Sequence, residues 1–472
     1  MKLSSKHANI RTLSFVDLTG GVNFSVPPEA LKDNEVQTIV NWEFDPASSI
    51  LKTRDGTEKV AEASADIETL YYAKNLGLLL VVFDGKLYKL QVDNSFAEIG
   101  SLNGTKIPIF AEWEEKVLLA SGAKLQETDG VSLSEITDSP QCDFVTTQHG
   151  RVVVSQEGDD YVYWSGVGDE TNWNFAGGDQ DALRLRVGYK DGGNIVSLRS
   201  LSKDLVVFKD NRRVYRIVGA YPDWLVLEIS RDAGTVARLA SLEVGNSVVF
   251  VDEIGIRSLD TVMEYGDIKV KDVGYKINTW IKDNLSPSTV RLWHVRPKGQ
   301  VWFKSQDDKF VYVFHYNHRA WTIFSFPEPV GAVAYTDNNE VYLAFGNKLC
   351  RFNQNLTTDI ETSIEARVVF SRKLPFREFL LKRGRLVYQG IKSGNATVEV
   401  GRLSKQISLI GSGDIAYYDY DIAYNDTDPV VAINRDEVSF TCNYRLPFLE
   451  PKLTVVSGGM RFLGLIFETA EV

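Results

Sequence analysis

The chain has 472 residues, 44% hydrophobic, 11% aromatic and 24% charged, and 52 Lys+Arg against 63 Asp+Glu leave a net charge of −11. That composition excludes a disordered chain, which needs low hydrophobicity and high charge, and the acidic balance argues against a protein that grips nucleic acid through many phosphate contacts. Three scattered cysteines, Cys142, Cys350 and Cys442, fit neither a disulfide framework nor a metal knuckle. No apolar run reaches the ~18 residues of a membrane span, and the start, Met1 to His7, lacks a signal-peptide core, so synthesis and folding in a cytoplasm are expected.

In chain order, residues 1–60 carry polar turns rather than a repeat: Gly20-Gly21 and Gly56 mark tight turns, and Asp33 is placed to cap a short helix over Gln37 to Val40. From there seven stretches repeat one formula at intervals of roughly 35 to 50 residues: four short runs rich in β-branched and aromatic residues, punctuated by Gly, Pro, Asn and Asp. The first is Leu70 to Tyr72, Leu78 to Phe83, Lys86 to Leu90 and Phe96 to Ile99, with Asp84-Gly85 as a hairpin turn. The second runs from Ile109 to Ile136, the third from Phe144 to Trp173, the fourth from Ile195 to Ile229 and the fifth from Leu242 to Leu259. A helix over Val273 to Asp283 follows, with Val273, Ile277, Trp280 and Ile281 on one face. The sixth unit is the clearest, Arg291 to Val295, Gln300 to Lys304, Phe310 to Phe314 and Ala320 to Phe324, and the seventh spans Val333 to Phe352 with Ala366 to Phe370 as a fourth strand. The second run is the most apolar in nearly every unit, as expected for a strand covered on both faces.

Beyond Phe352 the repeat fades into further strand-like runs: Phe379 to Leu381, Arg385 to Tyr388, Thr397 to Val400, Ile407 to Ile410, Val438 to Cys442, Leu453 to Val456 and Phe462 to Phe467. Such runs suit a small sandwich or barrel. The expected fold is therefore all-β: a β-propeller of six or seven blades over residues 61–358, with a sandwich-like platform built from an N-terminal segment, 1–60, and a C-terminal β domain, 359–472.

The N-terminal string Gly20-Gly21-Val22-Asn23, Pro28, Leu31, Asp33-Asn34-Glu35, Asn41, Leu51, Arg54 and Gly56 resembles the opening of the tail nozzle proteins of short-tailed bacteriophages, also called tail tubular or packaged-DNA stabilisation proteins. A second match lies in Tyr163-Trp164-Ser165-Gly166, Asn172-Trp173 and Asp191-Gly192-Gly193-Asn194-Ile195, continuing through Leu205 to Lys209, Gly219, Gly234 and Gly255-Ile256; a third is Val311 to Val313 with Ala320-Trp321-Thr322. The order of these pieces, over residues 15 to 355, carries the resemblance. It implies a six-fold ring below the portal and adaptor rings of a virion tail, a homohexamer that lines the DNA exit channel, retains the packaged genome and permits its ejection. Its implied partners are copies of itself, the adaptor or head-to-tail connector, tail fibres or spikes, and double-stranded DNA passing without specific binding; no membrane insertion and no cofactor are implied. The seven units counted here exceed the six blades usual for the family, which leaves blade number open.

An acidic wall would keep friction with DNA low, although mild acidity also serves solubility. Against the overall sign stands a basic cluster, Arg367, Arg372, Lys373, Arg377, Lys382, Arg383 and Arg385, opposed locally only by Glu378. Gly20, Gly21, Asn23, Asn41 and Arg54, with Arg372, Lys373, Arg377, Lys382 and Arg383, are the candidate surface toward an adaptor ring; a plain solvated face is the alternative for the basic residues. Loops holding Asp191, Gly192 and Gly193, and Asp252 and Glu253, are the candidates for channel gating.

No catalytic constellation emerges. His315 and His318 lack a third metal ligand at a recognisable spacing, and nothing marks Cys142, near His149, as a reactive thiolate. Asp159-Asp160 and Asp307-Asp308 read as turn residues, and Asn425-Asp426-Thr427-Asp428 lacks the Gly and Glu of a calcium loop. Trp293, Trp302 and Trp321 recur at strand positions, as core packing requires. The competing function is a soluble propeller that binds or hydrolyses carbohydrate, whose exposed aromatics would stack on sugar rings.

Overall fold

The computed structural model describes residues 10–46, 48–261, 268–306, 309–411 and 436–471. The chain forms two compact units. One combines residues 1–58, 312–327 and 353–472; the other combines 59–311 and 328–352.

The second unit is a β-propeller. Its five self-contained blades are antiparallel four-stranded meanders, written here by their first and last strands: blade 1 from Ile67–Ala73 to Phe96–Ser101, blade 2 from Ile109–Trp113 to Leu133–Glu135, blade 3 from Phe144–Gln148 to Leu183–Arg186, blade 4 from Ile195–Leu201 to Leu225–Ser230, and blade 5 from Ser241–Val244 to Ile268–Asp272. A sixth, closing blade is the meander Val330–Tyr335, Val341–Phe345 and Lys348–Asn353, next to which lies Gly56–Glu62. The ring is thus sealed by an early strand beside a late one, with Ala63 N–H donating to Asn347 O at 2.8 Å and Ile67 N–H to Gly346 O at 2.8 Å. The remaining repeat, Arg291–Val295, Gln300–Lys304, Phe310–His315 and Ala320–Ser325, keeps the same order, but the boundary between the units falls inside it, after Val311.

Physical chemistry accounts for the repeat. The second strands are buried along their length: Leu79 to Phe83, Arg151 to Ser155, Asp204 to Lys209, Gln300 to Lys304 and Val341 to Phe345. Each apolar face packs against the next blade. Phe144, Val153, Val162 and Trp164 of blade 3 meet Leu198, Leu205, Val207 and Ile217 of blade 4, each large side chain removed from water contributing about 1.5–3 kcal/mol. The Asp84-Gly85 turn has positive φ at both positions, 51° and 65°, as a two-residue hairpin of the primed type requires.

The other unit is organised by two long partners, Phe379–Val400 and Pro451–Glu471, paired from Phe379↔Glu471 to Val400↔Pro451. The runs at Phe379 to Leu381, Arg385 to Tyr388 and Thr397 to Val400, and those at Leu453 to Val456 and Phe462 to Phe467, are thus pieces of these two continuous strands, interrupted by bulges rather than turns. Asp436–Leu446 and Leu403–Leu409 pair with the other edge of Phe379–Val400. Ile10–Phe15 pairs with the end of Pro451–Glu471, and Ala366–Phe370 bridges that strand to Glu35–Val40. The core joins Phe15, Ile39, Trp42, Phe44, Phe370, Leu386, Phe462 and Phe467.

Two local expectations are corrected. Glu35–Val40 is a strand, not a helix capped by Asp33: Val36, Ile39 and Val40 are buried, and Val36, Thr38, Ile39 and Val40 pair with Ala366–Phe370, a non-local gain that outweighs a single cap. The helix after blade 5 is shorter than its apolar pattern, Asn278–Asn284, although Ile277 and Ile281 are buried as expected. No helix among the described residues is long and apolar enough to cross a membrane.

Candidate functional site

Arg54 is the most constrained cation of the terminal unit. It follows Leu51–Thr53, whose pairing with Trp42–Phe44 brings it beside Asn41. Its Nε donates to Asn41 Oδ1 at 2.9 Å, Nη1 to Asp359 Oδ1 at 2.9 Å, and Nη2 to Ser325 O at 2.7 Å and to Asp359 Oδ2. Thr57 Oγ1 adds a bond to Asp359 at 3.0 Å, and the guanidinium lies 4.5 Å from the Phe326 ring centre. Asn41 adopts a left-handed φ of 61°, donates to Glu365 O at 2.8 Å and accepts from Ser325 N–H at 2.8 Å. Five chain segments converge on this bidentate, charge-assisted pair.

The remaining N-terminal candidates behave alike. Asn23 donates to Glu35 Oε2 at 3.0 Å and receives Ser25 N–H at 2.9 Å. Gly21 has φ +65°, and a Cβ there would lie 2.7 Å from Trp321 O; one on Gly20 would lie 2.6 Å from Asn34 O. Gly20, Gly21, Asn23, Asn41 and Arg54 are all buried. Their expected place on a docking surface is therefore corrected: they are buried and hold together segments of the chain itself.

The basic cluster is only partly available. Arg372 pairs with Glu29 at 2.6 Å and Glu450 at 3.3 Å and lies 4.3 Å from the Phe448 ring centre; Lys373 pairs with Asp33; Arg385 pairs with Glu437 at 2.9 Å. These carboxylates come from distant sequence, so Glu378 is not the sole opposing charge. Arg377 and Arg383 are exposed, Lys382 is half-buried, and the three make no ion pair among the described residues.

In the propeller, Lys209 closes the second strand of blade 4 and is fully buried. It donates to Asp191 Oδ1 at 2.7 Å and Val187 O at 2.8 Å, while Asp191 also accepts Gly193 N–H at 3.0 Å and the Tyr215 hydroxyl at 2.8 Å. Burial alone would push Asp191 up, but the Lys209 ammonium, Gly193 N–H and Tyr215 hydroxyl outweigh it and hold the carboxyl below its usual range. The loop of Asp191, Gly192 and Gly193 is therefore pinned at its first residue. Asp252 accepts Ile254 and Gly255 N–H, both at 2.8 Å, and pairs with Arg257 at 2.7 Å, yet burial raises its carboxyl pKa. Lys209, Arg212, Asp252, Glu253 and Lys282 line one cavity of about 360 Å³, which brings the gating candidate Glu253 and the Asp191 partner Lys209 together.

A larger cavity, about 740 Å³, runs along the inner strands and was not singled out in the sequence. It is lined by Glu68 and Tyr71, Glu112, Arg199, Glu243, and Arg291 to His294. Protein surrounds Glu243 although water reaches it, so burial raises its carboxyl pKa against Ser200 N–H, which it accepts at 2.6 Å, and Arg199. Burial brings Arg199 down to about 10, opposed by Glu243 and reinforced by Arg238. Burial, with Arg296, lowers His294 to about 4. The signal for these residues was their position on each blade's first strand.

His315 and His318 are structural. His315, buried, bonds Thr322 Oγ1 at 2.9 Å and meets Phe44 edge-on at 5.1 Å; His318 stacks on Phe44 at 5.1 Å and bonds Ser49 Oγ at 2.9 Å. Cys142 is buried, and burial pushes its thiol up. No group of three or more His, Cys, Asp or Glu suited to a metal occurs among the described residues; Asp307-Asp308 and Asn425-Asp426-Thr427-Asp428 lie outside them. Trp302 and Trp321 are buried, while Trp293 lines the central cavity.

No known family and no curated protein matches the chain. Among solved structures it is similar to a streptogramin B lyase, at 11% identity over 64% of this chain and 98% of that one with a TM-score of 0.45. It is also similar to the WD40 β-propeller domain of Doa1, at 13% identity over 64% and 97% with a TM-score of 0.43. The Neurospora crassa Pan2 WD40 domain is similar at 11% identity over 63% and 96%, with a TM-score of 0.43.

Proposed function

We propose that this chain is a structural component of a short-tailed phage tail, a nozzle subunit that assembles as a ring below the portal and adaptor and forms the wall of the DNA exit passage. The observation that carries the reading is the Arg54–Asp359 lock. The residues through which the chain resembles nozzle proteins, Gly20, Gly21, Asn23, Asn41 and Arg54, gather in the unit where both ends of the chain fold together. A lone propeller has no need of such a unit, whereas a ring component needs a rigid platform to stack on its neighbours.

Function then follows from shape and charge rather than bond-making. A chain of net charge −11 repels passing phosphates on balance, and each phosphate contact avoided removes a counterion-release gain that would hold DNA in place. Arg377, Lys382 and Arg383 remain the cations suited to an acidic adaptor surface.

The test is imaging. Purified chain, alone and with the connector, is examined by negative-stain microscopy, and a virion reconstruction is searched for this fold at the tail exit. Closed rings and density at the exit are expected. A stable monomer that binds or cleaves glycans overturns the reading in favour of a carbohydrate-active propeller.

A further inference from the structure

We propose that the central cavity of the propeller binds a free α-amino acid with an aromatic side chain, its carboxylate on Arg199, its ammonium on Glu243 and its ring against Tyr71, Phe110 and Trp293. The cavity lies wholly within the propeller unit, so the site stands apart from the ring reading above. Its volume, about 740 Å³, is that of a small-molecule site.

One end of the cavity is crossed by a side chain. Arg238, 8% exposed, belongs to the connection from blade 4 to blade 5, and its guanidinium donates to Ile107 O at 2.7 Å and Asp143 O at 3.4 Å. Those carbonyls stand just ahead of the inner strands Ile109–Trp113 and Phe144–Gln148, so Arg238 stretches from blade 5 to blades 2 and 3 where the inner strands begin. Glu243 lies further along its own inner strand, Ser241–Val244, and is exposed to water, which puts the entrance at the opposite end.

The wall carries both signs side by side. Ser197 Oγ and Ser241 Oγ are 2.7 Å apart, and Arg199 and Glu243 each lie two residues beyond, at one level of blades 4 and 5. Arg199 has neutral partners, Ser241 Oγ at 3.1 Å and Arg238 O at 3.3 Å, while Glu243 accepts Ser200 N–H at 2.6 Å. The two charges attract one another yet make no ion pair among the described residues. A ligand of single sign placed on either would meet a like charge beside it. An α-amino acid answers both, because its ammonium and carboxylate share one carbon.

The other charged groups of the wall leave this arrangement intact. Glu112 accepts Lys74 and Asn75 N–H, at 2.5 and 3.4 Å, and stands on the negative side: burial, then Glu112 and Glu243, keep the Tyr71 hydroxyl protonated. Glu68 and Arg291 are opposite in sign, and His294, with a pKa of about 4, is neutral. The Tyr71 and Phe110 rings stack at 4.7 Å and 7°, and with half-buried Trp293 they offer flat faces that favour a ring over an aliphatic chain.

Isothermal titration of the full chain with L-tryptophan, tryptamine, which lacks the carboxylate, and indolepropionate, which lacks the ammonium, reads each charge separately. Tryptophan is expected to bind saturably, and each analogue to bind more weakly by about tenfold or more. Glu243→Gln should keep the wild-type thermal midpoint, weaken tryptophan to the level of indolepropionate and leave indolepropionate unchanged. Absence of saturable tryptophan binding at millimolar concentration, an analogue that binds as tightly as tryptophan, or a Glu243→Gln chain that binds tryptophan like wild type overturns the assignment. None of these results bears on ring assembly, which imaging decides.

Discussion

The two units solve the problem of closing a β structure in opposite ways. In the propeller, sheets are built almost wholly from strands adjacent in sequence, and the one early strand, Gly56–Glu62, serves to seal the ring. In the terminal unit the pairings that join its segments are distant: Ile10–Phe15 with Pro451–Glu471, Glu35–Val40 with Ala366–Phe370, and Arg54 with Asp359 across 305 positions. The propeller's order is local and can form blade by blade, whereas the terminal unit cannot form until the C-terminal strands exist. A buried ion pair therefore has different meanings in the two. Lys209–Asp191 fixes the loop that joins blades 3 and 4, while Arg54–Asp359 fixes the register of the ends of the chain.

That contrast breaks most sharply at Arg54. Arg54→Ala leaves the Asp359 carboxylate buried with only the Thr57 hydroxyl, and should cost about 3–5 kcal/mol, seen in calorimetry as a shift of the terminal unit's transition with the propeller's unchanged. Trp302→Ala is the converse probe. It empties a buried site packed on Phe352 and should lower the propeller's transition by about 3–5 kcal/mol, leaving the other in place. If either substitution moves both transitions equally, the units are not independent.

A smaller effect should appear with pH. His294 titrates near 4 in the folded chain against 6.5 unperturbed, so the unfolded state takes up its proton first. Propeller stability should fall as pH drops from about 6.5 to 4, by up to about 3 kcal/mol, and level off below; His294→Gln should abolish that slope in denaturant midpoints measured across the range. Arg385→Ala removes a surface pair with Glu437 and should change stability by less than about 1 kcal/mol. A larger loss would assign that residue to the platform's framework.

The propeller was legible because its information is short-range. The positions of the repeats, the buried second strands and the Asp84-Gly85 turn follow from period-2 patterning and turn chemistry over four or five residues. Asp33 and Gln37 misled for the opposite reason: a cap and a few residues read as a helix in isolation, yet Gln37 bonds Phe370 O at 2.7 Å and Glu450 at 2.6 Å, partners more than three hundred positions away. Asn41 and Arg54, expected on a surface, are buried: a polar residue read from sequence looks exposed until its buried partners are known. The cavity residues Arg199, Glu243 and His294 carried no motif.

By itself the sequence determined that this chain is all-β and repeats a four-strand meander, because strand alternation and turn residues act over a few positions. Only the tertiary structure decided which charges face inward, which strand edges stay open and how the two ends of the chain are joined. Those outcomes depend on burial and on partners hundreds of residues apart, and no local pattern encodes either.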